Sequence, residues 1–240
     1  MKLHKKVFCV VGLGLLLFGT NLLAAEKTAK DVINNAYQYI GSMDKYAFKA
    51  VVSEDAVEDG QIVKTYKQNV SAKVSRPNML RVDTKGDIKN RSNYINNGLY
   101  TMIDHDLGYY AQVKTPKSID GTLDFIFTKL GIKAPMASLF YSDMQKRVKF
   151  NNSKYFGTVD VGGVECDYVA FKNKTREIHV WIATGDKPLV KTYSVIDTDT
   201  QGNPRMNTSL TWIKNPSISD SDFIFKAPKG ASKVSVHSAN

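Results

Sequence analysis

Apolar and polar side chains alternate over most of the chain, and this period of two constrains the fold more than any other feature of the sequence. From Tyr46 onward, Phe48, Ala50 and Val52 fall on one face and Lys49 on the other, which is typical of a half-buried strand. After a turn at Asp59-Gly60 the pattern returns with Tyr66, Val70, Ala72 and Val74 against Lys64, Lys67 and Lys73. A long antiparallel sheet is predicted to begin here.

Further strand signals, separated by turn residues at hairpin spacing, extend this sheet along both halves of the chain. In the first half the predicted runs cover residues 80–82, 94–95, 99–103 and 109–113, with a hairpin turn at Asn96-Asn97-Gly98. In the second half they cover residues 157–161, 164–172, 177–183, 189–198 and 206–213. We expect a meander of strands. The run 177–183 is apolar on both faces, so its inward-facing side chains stay undecided.

Two segments show helical spacing instead. Thr28 and Asp31 have the spacing of a capping box at the start of an amphipathic helix. Between about residues 118 and 144, Ser118 can cap a helix and Pro135 can begin another. The apolar residues of this insertion are Leu123, Ile126, Phe127, Leu130, Leu139 and Phe140. Because the concave side of the sheet is the large apolar surface available to them, we interpret the insertion as a lid.

The first 25 residues are predicted to be a secretory signal, with a basic start, an apolar stretch at 7–18 and small residues before Glu26. No later stretch is long and apolar enough to span a bilayer. Without Lys2, Lys5 and Lys6 the 33 Lys and Arg fall to 30 against 23 Asp and Glu, a net charge of +7. We therefore expect an exported, basic, monomeric protein with one domain, residues 26–240, and no nucleic-acid partner.

Signals for catalysis and metal binding are weak. The mature histidines, His105, His179 and His237, are far apart and lack metal-ligand spacing, and Asp104-His105-Asp106 is typical of a polar turn. Cys166 lies in an apolar run and is predicted to be buried and unreactive. Asp120 and Asp124 fit an exposed helix face as well as an acid–base pair. We predict no enzyme, no metal and no cofactor.

Several short motifs resemble a known family. Three of them, in the same order and spacing, resemble the successive signatures of the periplasmic lipoprotein carriers of the lipoprotein-localisation (Lol) system: Arg76-Pro77-Asn78-Met79-Leu80-Arg81, Asn97-Gly98-Leu99-Tyr100 and the stretch 222–230. The stretches 177–182, 185–188, 203–204 and 211–212 are more similar to a family of predicted periplasmic proteins, of unknown function, grouped with those carriers.

The resemblance implies a curved, unclosed antiparallel β-barrel of the lipoprotein-carrier type, mainly β with helices plugging its open side. In the carriers the cavity holds lipoprotein acyl chains, and an arginine matching Arg76 holds the lid shut. A curved sheet with one apolar face makes such a pocket, in which each buried methylene contributes about 0.8 kcal/mol. The resemblance thus implies a periplasmic protein that binds a lipid or the acyl chains of a lipoprotein.

The residues predicted to line this cavity are Phe48, Tyr66, Val70, Leu80, Tyr100, Trp181, Tyr193, Leu210 and Trp212. Aromatic residues at strand spacing are also typical of an ordinary hydrophobic core. The resemblance favours ligand contact, because a half-open barrel leaves part of its inner face unpacked. Two alternatives stay open. The same barrel suits a sensor or interaction module for an envelope protein, and an enzyme would need convergent polar groups in the pocket, such as His179 with a carboxylate.

Overall fold

The computed structural model describes residues 27–132, 134, 136–149 and 152–236, and within these residues twelve strands form one sheet. The strands of the first half are β1 (Lys45–Glu58), β2 (Gln61–Ser75), β3 (Met79–Gly86), β4 (Asn90–Asn96), β5 (Leu99–Asp104) and β6 (Tyr109–Lys114). Those of the second half are β7 (Asn152–Asp160), β8 (Glu165–Lys172), β9 (Arg176–Ala183), β10 (Val190–Asp197), β11 (Arg205–Trp212) and β12 (Ser232–Val234).

The sheet is not closed. Its order is β12-β6-β5-β4-β3-β2-β1-β11-β10-β9-β8-β7, so in the described part of the chain β12 and β7 are its two edges. Neighbours are antiparallel except β12, which pairs parallel with β6. The predicted fold class, a mainly β chain with an unclosed antiparallel sheet and helices, is confirmed.

The alternation that predicted the sheet also divides it into two faces. On β1 the side chains of Phe48, Ala50 and Val52 are buried on what we call the inner face, while Val51 on the outer face is 53% exposed. Phe48 pairs with Ala72 of β2 and with Trp212 of β11, so the inner face continues across the junction of the two halves. The core therefore lies on the inner face.

Most predicted turns hold, but several strands are longer than predicted: β3 (Met79–Gly86) against 80–82, and β4 (Asn90–Asn96) against 94–95. Asp59-Gly60 and Asn97-Gly98 both have positive φ at both positions, as the tightest hairpins require. Strand β7 begins at Asn152, before the predicted 157, and its pairing with β8 shifts register between Tyr155 and Thr158. Polar residues precede this bulge, so the alternating pattern that predicts strands is missing there.

Three α-helices lie in the described residues: α1 (Ala29–Ser42), α2 (Ile119–Lys129) and α3 (Met144–Arg147). The Thr28 hydroxyl accepts the backbone N–H of Asp31, and the Ser118 hydroxyl that of Gly121, as predicted for helix starts. The second lid helix is a correction. Pro135 lies outside the described residues, Leu139 ends a single 3₁₀ turn (Ala137–Leu139), and Phe140 follows it.

The end of α1 packs against the lid with no room for a larger residue. A methyl group on Gly41 would overlap the backbone carbonyl of Ser142. Helix propensity alone favours alanine over glycine, but this contact opposes it. We expect Gly41→Ala to lower the free energy of unfolding by about 1–2 kcal/mol, measured by urea titration. Gln38→Ala on the exposed side of α1 is the control and should change stability little; a stabilised Gly41→Ala would contradict the close contact.

A C-terminal segment, residues 219–234, crosses the outer face of the first half; we call it the strap. Its 3₁₀ turn (Asp220–Phe223) places Asp222 beside Lys73, with 2.7 Å between Nζ and Oδ1. Phe225 packs on Tyr94 and Tyr110, and β12 then joins the edge strand β6. Within the described residues, no helix has the length and apolarity needed to cross a membrane. The predicted signal peptide lies outside those residues.

Attachment of the strap depends on the charge of Asp222. Hydrogen bonding from Lys73, and then from the Ser219 backbone N–H, lowers its pKa from the ordinary 3.8. Since the folded pKa is the lower one, this contribution to stability is complete above about pH 4 and is lost as the pH falls through the folded pKa. At neutral pH, Asp222→Asn should cost about 1 kcal/mol. Unfolding titrations at pH 7 and pH 3 should show the difference shrinking; a constant difference would contradict the ionic role.

Candidate functional site

Two cavities lie between the inner face and the helices. The larger compartment has a volume of about 550 Å³ and is lined by α1, the lid and strands β8–β11. The smaller compartment has a volume of about 210 Å³ and lies between the lid, which includes α2, and strands β1–β5, β10 and β11. Tyr193 and Met206 line both, so these two side chains form part of the wall between the compartments. Together they have the size and apolar lining of a ligand site.

Charged side chains collect at one end of both compartments, which we call the rim. Asp55, Arg176, Asp197 and Arg205 line the larger compartment there. Lys89 and Arg91 line the smaller one, and Glu54 lines both. These residues lie near the ends of their strands, except Lys89, which lies in the turn between β3 and β4. A molecule entering from this side would meet charge first and apolar surface deeper in.

Hydrogen bonds lower the pKa of one acid at the rim and of another beside it. The backbone N–H of Asp199 donates to Asp197 and lowers the pKa of that carboxyl. Beside the rim, Arg91 donates to Asp104 at 2.8 Å, and this hydrogen bond lowers the pKa of the Asp104 carboxyl. Lys89 lies 3.8 Å from Glu54. The rim therefore combines acidic and basic side chains.

At the opposite end the compartments are closed by aromatic packing. Phe48 stacks on Phe140 of the lid, with ring centroids 5.9 Å apart, and contacts Trp212 at 5.2 Å. Trp212 donates through Nε1 to the carbonyl of Val190 at 2.7 Å. These rings, with Leu210, fill the closed end as core.

Arg76 connects this closed end to the lid. It lies in the turn between β2 and β3, at a cis Arg76-Pro77 bond. Its guanidinium donates to the backbone carbonyls of Phe140 at 2.8 Å and Tyr141 at 3.3 Å, and to the hydroxyl of Tyr46 at 3.2 Å. That hydroxyl in turn donates to the carbonyl of Leu139 at 2.5 Å, and burial raises the pKa of Tyr46. One side chain thus supports two consecutive lid carbonyls.

Several predicted ligand residues come together around the smaller compartment. Val70, Leu80 and Tyr100 line it from the sheet, and Tyr193 lines both compartments. The Tyr100 hydroxyl donates to Asn93 at 2.8 Å, and burial raises its pKa to about 12, so it stays protonated at neutral pH. From the lid, Leu123, Ile126 and Phe140 line the smaller compartment and Leu139 the larger.

Other predicted residues lie elsewhere. Phe48, Leu210 and Trp212 belong to the closed-end core, and Phe127 and Leu130 are partly buried against the core of the protein without lining a compartment. Tyr66 lies beyond the cavity near the solvent end of β2, where Lys64 sits 4.8 Å from its ring centroid.

Trp181 points away from the cavity. It stacks on Tyr168 with centroids 4.7 Å apart, in a row that continues to Phe156 on the outer face. Its neighbours Val180 and Ile182 are the residues of β9 buried on the inner face. In β9, Val180 and Ile182 therefore face inward and Trp181 faces outward. The prediction that Trp181 lines the cavity is wrong.

Sequence reasoning missed several cavity residues. Ile33 and Tyr37 line the larger compartment from α1, Thr208 lines the smaller compartment and Met206 lines both. The two residues on β11 share the parity of Leu210 and Trp212, so the period of two could have identified them. The amphipathic pattern of α1 predicted which face of the helix is buried. It did not predict that part of this face borders a cavity.

The histidines outside the cavity that the structure describes, His105 and His179, form hydrogen bonds with neighbouring side chains. Ser92 donates to Asp83 at 2.6 Å and contacts His105 Nε2 at 2.8 Å on the outer face. His179 lies between Tyr168 and Glu177. Burial raises the pKa of the Cys166 thiol. Among the described residues, no three His, Cys, Asp or Glu side chains cluster as a metal site would require. His237 lies outside the described residues.

The chain shares its fold with a solved structure, and two others are more distantly similar. An uncharacterised conserved protein of Thermus thermophilus is similar with a TM-score of 0.52 and 8% identity, over 86% of this chain and 98% of that one. The lipoprotein LppX of Mycobacterium tuberculosis has a TM-score of 0.43 and 10% identity, over 80% and 98%. A LolA superfamily protein of Nitrosomonas europaea has a TM-score of 0.39 and 7% identity, over 83% and 98%.

Comparison of the sequence identifies the family. No curated protein matches the chain. The model of a family described as predicted periplasmic protein, DUF2092, matches residues 29–237, and these residues include α1, the lid, the twelve strands and the whole strap. The chain therefore belongs to the DUF2092 family of predicted periplasmic proteins.

Proposed function

We propose that the protein binds the acyl chains of a lipid or lipoprotein in the periplasm, inside the two compartments. The observation that carries this proposal is the arrangement of the cavity: apolar compartments of about 550 and 210 Å³ that end at a rim of charged residues. An amphiphile matches it, because its chains bury apolar surface at about 25 cal/mol per Å² while its head group stays at the rim.

The lid gives this site a means of access. Its contacts with the sheet at the closed end depend on Arg76, Tyr46 and Phe48. The lid residues that line the smaller compartment, Leu123, Ile126 and Phe140, belong to the segment between β6 and β7. Displacing this segment would expose the apolar lining along its length. We infer that the lid admits and releases the acyl chains.

Blocking the larger compartment tests the proposal. Val195 lines it from β10, and Val195→Trp places a bulky ring in the space. We expect native mass spectrometry with lipid extraction, on protein purified from the periplasm, to find bound acyl lipid in the wild type and at least tenfold less in Val195→Trp.

Val51→Trp is the matched control, because Val51 points outward from β1, and it should retain the lipid. A wild-type protein free of lipid and lipoprotein would overturn the proposal in favour of recognition of an envelope protein by the same fold. Equal lipid in wild type and Val195→Trp would place the binding site elsewhere.

A further inference from the structure

Two hydroxyl groups in the cavity wall have no hydrogen-bond partner. Tyr193 Oη and Thr208 Oγ1 are buried, and within the described part of the chain neither makes a hydrogen bond. Burial raises the pKa of Tyr193 to about 12, and the nearby Thr208 hydroxyl offsets part of that effect without reaching hydrogen-bond geometry. Buried polar groups are nearly always paired, and an unpaired one weakens the fold. A pair of them at one place therefore calls for an explanation.

Their position relates them to the ligand. Tyr193 and Thr208 are cross-strand partners on β10 and β11. Tyr193 lines both compartments and Thr208 lines the smaller one. The pair thus lies where the two compartments adjoin, with apolar lining on either side.

We propose that Tyr193 and Thr208 bind the acyl carbonyl oxygens of a two-chain lipid that places one chain in each compartment. This inference rests on the proposed function. A hydroxyl donor satisfies a neutral carbonyl acceptor well, and each compartment takes one of the two chains. The shared chemistry, two ester-linked acyl chains on one glycerol, belongs both to free lipids and to the diacylglyceryl group of lipoproteins.

The distance from Tyr193 to the rim suits the head group of such a lipid. Asp197 is four residues from Tyr193 along β10 and on the same face, which places their Cα atoms about 13 Å apart. Arg176 lies across from Asp197 on β9. If Tyr193 and Thr208 bind the carbonyls, the head group lies among the charged residues of the rim and the acyl chains lie beside apolar residues.

Matched ester and ether lipids test the role of the carbonyls. 1,2-Dioctanoylglycerol and 1,2-dioctylglycerol differ in the carbonyl groups, which the ether lacks. We expect the wild-type protein to bind the ester about tenfold more tightly in calorimetric titration. Tyr193→Phe with Thr208→Val should remove this preference while ether binding is unchanged. The variant should be at least as stable as wild type, because it loses hydroxyls that have no partner.

The possible outcomes separate the two proposals. Equal binding of ester and ether by the wild type would overturn the carbonyl assignment and leave lipid binding intact, whereas binding of neither would overturn both. A one-chain octanoyl ester that binds as tightly as the two-chain ester would also overturn this inference. Tyr109→Phe, at a half-exposed tyrosine, is the control and should keep the preference.

A synthetic diacylated lipopeptide identifies the source of the ligand. If it binds more tightly than dioctanoylglycerol, contacts to the peptide are present and the ligand is a lipoprotein. If the two bind equally, the ligand is a free lipid. Both results support the carbonyl contacts provided that the double variant weakens each of them, and each single variant gives an independent measurement of the ester preference.

Discussion

Replacing Phe48 with alanine is expected to lower the free energy of unfolding by about 4 kcal/mol. Phe48 is fully buried at the centre of the sheet, between Phe140 of the lid and Trp212 of β11. The substitution removes the ring contacts that join the two halves of the inner face to the lid, and leaves a cavity beneath all three. Urea unfolding followed by circular dichroism would measure the loss.

The control is Val51→Ala, three residues along β1 on the outer face, where the side chain is 53% exposed. It should cost less than about 1 kcal/mol, because little apolar surface is buried there. If Phe48→Ala were as mild as this control, the lid would not be packed against the sheet as described. Hydrogen exchange should also show faster opening of residues 136–149 in Phe48→Ala.

Replacing Arg76 with leucine is expected to cost about 3 kcal/mol, because two lid carbonyls and the Tyr46 hydroxyl lose a charged donor in a partly buried site. The lid should loosen more than the sheet, so that hydrogen exchange in residues 136–149 accelerates more than in β1–β6. Arg76→Lys should recover only part of the stability, because an ammonium group lacks the planar fork that reaches two carbonyls at once.

Arg205→Leu is the matched control for charge, since Arg205 is exposed at the rim and should leave lid exchange unchanged. Lid exchange that is the same in wild type and Arg76→Leu would show that Arg76 supports the turn between β2 and β3 alone. Under the proposed function, the loosened lid should also shorten the residence time of bound lipid.

The sheet was predictable because its signals are local and repeated. Alternation along β1 and β2, the turn residues at 59–60 and 97–98, and the helix caps at Thr28 and Ser118 each specify short-range geometry. At residues 136–149 the chain is held by contacts from distant elements, namely Arg76, Tyr46 and Gly41. Their pattern is absent from the local sequence, which is why a longer helix was predicted there.

The cavity was predictable only in part, because side-chain parity does not distinguish core from open space. Leu210 and Thr208 share the inner face of β11, yet Leu210 packs in the core and Thr208 lines a compartment. Trp181 shows the opposite case: an aromatic residue in a strand apolar on both faces packs outside, on Tyr168. The size of the side chain does not determine where Thr208, Leu210 or Trp181 lies. The strands and helices packed around each residue do.

The strand order has a consequence for how the chain folds. The hairpins from β1 to β6 and from β7 to β11 join sequence neighbours, whereas β1 and β11 pair Phe48 with Trp212 at the centre of the sheet. This pairing closes a loop of most of the chain, and such non-local contacts form late and slow folding. Each half should therefore assemble as a meander first, and the β1–β11 seam should set the folding rate, with the inner face unsealed until the last long strand is available.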